Sequence, residues 1–115
     1  MRKVSILLAM ILVLSMPLTA FAAVNNVRIQ PVLSFAGTTA NCDVTVLGND
    51  SSEHIEVTMK LMNGYYCVAS WQAEGYGYVE MEKTALVTKG CTYTLVVEVT
   101  IDDVLQAPAV VNKTC

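Results

Sequence analysis

A chain of 115 residues is long enough for one domain and too short for two. Seven lysines and arginines stand against ten carboxylates, a net charge of −3, and no basic stripe forms. That excludes the cation pairing with phosphates from which binding to nucleic acid or an anionic membrane surface begins.

The first element is a leader. Met1-Arg2-Lys3 sets two cations ahead of the apolar run 4–18, and Ala20-Phe21-Ala22 supplies the small-x-small pattern of a signal peptidase site. Residues 1–22 are therefore read as a secretory signal peptide cut after Ala22. The rival reading is an uncleaved anchor, since the run approaches bilayer-spanning length, but Pro17 and the cleavage pattern weigh against it. No second hydrophobic span follows, no cysteine lies beside the cut, and the C-terminus carries neither a hydrophobic tail nor a wall-sorting signal. The expected product is a soluble, secreted domain, 23–115, with no membrane span once the leader is removed. Losing Arg2 and Lys3 leaves Arg28, Lys60, Lys83, Lys89 and Lys113 against ten carboxylates, an acidic balance that favours solubility.

After the leader, apolar and polar residues alternate with period two almost throughout, and no stretch of ten or more holds a helical period. Val27, Ile29, Leu33 and Phe35 share one parity, with Pro31 marking an edge strand because it has no N–H for a ladder. Gly37-Thr38 turns the chain into a half-buried strand in which Ala40, Cys42, Val44 and Val46 face inward. A turn-rich loop, 48–52, precedes the clearest strand, where Ile55, Val57, Met59 and Leu61 alternate with Glu56, Thr58 and Lys60. Asn63-Gly64 predicts a hairpin, which makes 65–71 the antiparallel neighbour. A loop with Gly75 and Gly77 leads to 78–87, where Val79, Met81, Ala85 and Val87 share a face that Lys83 interrupts, which predicts two short strands. Lys89-Gly90 turns again into Tyr93, Leu95, Val97, Val99 and Ile101, and Asp102-Asp103 turns into a last strand at 105–113. About seven antiparallel strands spaced near ten residues apart predict an all-β, immunoglobulin-like β-sandwich, with an open barrel as the alternative. Tyr93, just after the Gly90 turn, stands where such sandwiches place a tyrosine corner; an ordinary half-buried strand tyrosine is the other reading.

All four cysteines, Cys42, Cys67, Cys91 and Cys115, follow the leader, and a domain this small gains from covalent support. Four cysteines allow three pairings. If the last two strands form a hairpin about Asp103, residues whose numbers add to 206 face one another, which sets Cys91 against Cys115. Cys42 would then pair with Cys67. The distance from Cys42 to Trp71 is too long for an antibody-type tryptophan core. With no C-x-x-C pair and His54 as the one histidine, neither a zinc site nor a thioredoxin-like centre is expected; no cofactor is expected either.

His54, with serines and aspartates elsewhere, is the minimum inventory of a hydrolase triad, but nucleophile-elbow, phosphate-loop and H-E-x-x-H patterns are all missing. Glu80 and Glu82 share a strand face and read as solvated charge rather than paired catalytic carboxylates. An enzyme is not expected; it would require a cleft with His54 or these two glutamates on its wall. The aromatic residues Tyr65, Tyr66, Trp71, Tyr76 and Tyr78 are clustered in sequence. Strand alternation turns half of them inward, with Trp71 as the core anchor, and leaves Tyr65, Tyr76 and Tyr78 as candidates for contact with a protein or a surface glycan.

The segments 32–37, Ala40-x-Cys42-x-Val44-x-Val46-x-Gly48, 55–61, Ser70-Trp71 and Gly90-x-Thr92-Tyr93-x-Leu95 together resemble an uncharacterised family of small secreted proteins from Gram-positive, clostridia-like bacteria. The resemblance implies an immunoglobulin-like sandwich and a bacterial source, and carries over no functional residue. Members often lack four cysteines, so the disulfide reading rests on this sequence. The expected function is that of a secreted, non-enzymatic module mediating protein or cell-surface interaction; the alternative is a carbohydrate-binding module using the three tyrosines.

Overall fold

The computed structural model describes residues 27–115; the expected leader at 1–22 and the first residues of the expected domain lie outside them. The described residues form eight strands and no helix: β1 (Arg28–Ala36), β2 (Thr39–Leu47), β3 (His54–Asn63), β4 (Tyr66–Tyr76), β5 (Tyr78–Leu86), β6 (Thr92–Ile101), β7 (Val104–Leu105) and β8 (Ala109–Thr114). They make two antiparallel sheets. One has the order β1-β2-β5; the other runs β4-β3-β6, with β7 and β8 both pairing on the far side of β6. The described residues form an all-β, immunoglobulin-like sandwich, and its fourth strand pairs with β3 rather than β5.

Period-two alternation builds the core directly. The inward residues of β2 and β3, including Val44, Val46, Ile55, Val57, Met59 and Leu61, meet Leu95, Val97 and Val99 of β6 between the sheets, and no polar or charged residue is buried with them among the described residues. β1 with Pro31 is an edge strand, as its sequence requires. Tyr93 is the corner tyrosine: its hydroxyl oxygen accepts the Thr88 N–H at 2.8 Å, tying the start of β6 to the loop before it. Phe35 packs against its ring, with centroids 5.9 Å apart.

Several sequence expectations are corrected. The β3–β4 turn is centred on Gly64-Tyr65, since Asn63 pairs with Tyr66. Gly64 has φ +62° and Tyr65 does not share that sign, which fits a type II′ hairpin. β4 runs on through Gly75, paired with Ile55, where a loop was expected. β5 is one strand rather than two, because Lys83 occupies an inward position on an edge strand and its charge leaves through the open side. Trp71 is only partly buried, since β4 is the outermost strand of the larger sheet. The last strand divides at residues 106–108, where the register with β6 shifts by one residue and Pro108 has no N–H to give.

Candidate functional site

The longest strands place a group of polar side chains on the outer face of the larger sheet. Alternation along β3 and β4 puts His54, Glu56, Gln72, Glu74 and Tyr76 on the solvent side, and the register sets His54 opposite Tyr76 and Glu56 directly opposite Glu74. On the other side of β3, Glu56 faces Thr100 and Thr58 faces Glu98. An open groove of about 590 Å³ lies over these strands, walled by Glu56, Gln72, Glu74, Glu98 and Thr100, with Leu105 of β7 at its end. Its charge is predominantly negative; Lys60, 3.6 Å from Glu98, offsets part of it.

His54 Nε2 lies 2.8 Å from Glu74 Oε1, and the imidazole is about a third exposed, 31%. Its ring also meets Tyr76, with centroids 5.1 Å apart. The hydrogen bond to Glu74 raises the His54 pKa above its ordinary value, with burial opposing and the negative charges of Glu56, Glu74 and Asp103 adding to the rise. One residue fixes the backbone at this position: the His54 N–H donates to Asp102 Oδ1 at 2.9 Å, and its carbonyl accepts the Asp102 N–H at 2.8 Å. Asp102 and Asp103 both have positive φ, +49° and +69°, a type I′ pair that aspartate tolerates better than most residues. Donor atoms of His54, Glu56 and Glu74 all lie within 4.8 Å of one another.

The three candidate tyrosines do not converge. Tyr65 is fully exposed at the β3–β4 turn, while Tyr76 ends the same hairpin some ~30 Å away at strand spacing. Tyr78, after the crossover at Gly77, lies on the outer face of the other sheet, where its hydroxyl donates to Glu80 at 3.2 Å. Glu80 and Glu82 are exposed on that same face, so the carboxylates around the groove are a different set. His54 is paired, but it stands beside the groove rather than on its wall.

All four cysteines are free thiols. The expected Cys42–Cys67 pair is not formed. Cys42 is wholly buried between the sheets at 0% exposure, whereas a bulge between Leu61 and Met62 turns the end of β4 and leaves Cys67 exposed, its thiol 3.5 Å from the Ala69 carbonyl. Burial, helped by Asp43, pushes the Cys42 thiol up to about 11, which makes it unreactive. The predicted register of Cys91 and Cys115 is present, since Thr92 pairs with Thr114 and the Cys115 N–H donates to the Cys91 carbonyl at 2.9 Å, although their sulfurs are unbonded.

Sequence reading missed the His54, Glu56 and Glu74 group. His-x-Glu on an alternating strand was a visible signal that two of them share a face, but Glu74 joins only through a hairpin register that the bulge shifts by one residue. No known protein-family model matches the chain, and no curated protein is significantly similar to it.

Proposed function

We propose that this chain is exported, loses residues 1–22, and acts outside the cell membrane as a non-enzymatic recognition module of a Gram-positive bacterium. Its partner is a cationic segment of a cell-surface protein, engaged through the outer face of β4-β3-β6. The observation that carries this reading is the open groove with Glu56, Glu74 and Glu98 on its walls: charge complementarity of this kind steers encounter and fixes register at an interface. Rigid paired strands supply the surface, and exposed Val104, Leu105 and Val110 flank it with apolar contact area.

A disulfide between Cys91 and Cys115 belongs to the same reading. Each thiol gives up a proton and an electron to a disulfide oxidant of the export compartment, and the new bond ties β8 to the start of β6. The proposal is tested by adding the purified exported chain to intact cells of its source. Saturable retention, displaced by a polylysine competitor, is expected. Absence of saturable retention would overturn it, and retention displaced only by soluble glycans would favour the carbohydrate reading instead.

A further inference from the structure

We propose that His54, Glu56 and Glu74 form a binding site for a divalent first-row cation, of which zinc is the natural probe. This goes beyond the recognition reading: the ion takes Glu56 and Glu74 and leaves Glu98 to face a cationic partner, so the site has its own ligand and its own test. The three donors combine one imidazole with two carboxylates, a set that suits zinc and its neighbours in the transition series. Their atoms lie within 4.8 Å of one another, so small rotamer changes bring all three to the ~2.0–2.2 Å that zinc–nitrogen and zinc–oxygen bonds require.

Two further features favour a cation here. Glu56 and Glu74 are directly opposite across β3 and β4, an arrangement of like charges that weakens a strand pair unless something neutralises it. His54 already lies 2.8 Å from Glu74, so a cation replaces the proton shared by that pair and, with neutral imidazole, balances two carboxylate charges. The backbone under the site is also rigid: Asp102 holds both the N–H and the carbonyl of His54. All three ligands come from paired strands rather than loops, which preserves their spacing before the ion arrives. With three protein ligands, a fourth position stays open to water.

The test is calorimetric titration of the reduced, full domain with zinc, repeated for His54→Ala, Glu56→Gln and Glu74→Gln. A control carries Glu80→Gln and Glu82→Gln on the opposite sheet. One ion per chain is expected, with at least a tenfold loss of affinity in each of the three single variants and none in the control. Because all three side chains are on a solvent-facing surface, an amide spectrum of each variant can verify that the fold is kept. Absence of saturable binding overturns the proposal, as does binding unchanged by His54→Ala. Titration with cobalt(II) reports the ligands separately: thiolate-to-cobalt absorption at the first equivalent would assign the ion to the cysteines and overturn the proposal.

Discussion

His54 gathers negative charge from three directions: Glu74 across the strand pair, Glu56 two positions along its own strand, and Asp103 in the β6–β7 turn. Its folded-state pKa is accordingly above 6.5, with the Glu74 hydrogen bond as the largest cause. A raised histidine pKa stabilises the fold fully below the unfolded value, while the carboxylates remain ionised, and that stabilisation is lost as pH rises through the folded value. An NMR titration of the His54 ring in metal-free buffer should give a midpoint above 6.5, falling when Glu74 is replaced by Gln; an unchanged midpoint in Glu74→Gln would contradict the assignment. Tyr93 makes a second residue-scale prediction. Tyr93→Phe leaves the Thr88 N–H without its acceptor and should cost about 1–3 kcal/mol in denaturant unfolding, whereas Tyr65→Phe at the exposed turn should leave stability unchanged. Tyr93 was legible in sequence because its role depends on local position after a glycine turn. The partner of His54 was not, because it lies twenty residues away in a register that no single strand encodes.

At the scale of elements, alternation located β1, β2, β3 and β6 and their inward faces, since the core needs only that every second side chain be apolar. What it missed was set by backbone geometry. The bulge that turns Cys67 outward leaves no mark on hydrophobic periodicity, and Lys83 looked like a break because its position at a sheet edge was unknown. Gly77 shows how sharply one crossover is specified. It has φ +75°, and a Cβ there would lie 2.7 Å from Ser51 Cα, while its N–H donates to the Glu53 carbonyl at 2.9 Å and its own carbonyl accepts the Gly48 N–H at 2.9 Å. Gly37 shares the positive φ, +64°, but has open space around it. Gly77→Ala should therefore destabilise by roughly 3 kcal/mol or more and Gly37→Ala by about 1 kcal/mol. Equal costs in thermal or denaturant unfolding would contradict the close packing of loop 48–53 against the crossover.

Across the whole molecule, a core of this size leaves a thin margin of stability, and the C-terminal strand β8 lies at a sheet edge. Closing Cys91 to Cys115 restrains a loop of about 25 residues and would add roughly 3.5 kcal/mol on the chain-entropy account. Non-reducing mass spectrometry of tryptic fragments from the exported chain should find these two cysteines joined, with Cys42 as a free thiol; a Cys42–Cys67 fragment would contradict the outward turn of β4. The two broad faces of the sandwich differ in what they present. The β4-β3-β6 face carries the groove, and the β1-β2-β5 face carries Glu80, Glu82 and Tyr78 as solvated surface. The most direct test compares retention on source cells of a chain with Gln72→Lys and Glu98→Lys, which cancels the negative charge of the groove walls while sparing His54, Glu56 and Glu74, with one carrying Glu80→Lys and Glu82→Lys. Loss of binding at least tenfold in the first and wild-type binding in the second is the predicted result. Equal binding by the two variants, or loss confined to the second, would contradict the assignment of the outer face of the larger sheet as the recognition surface.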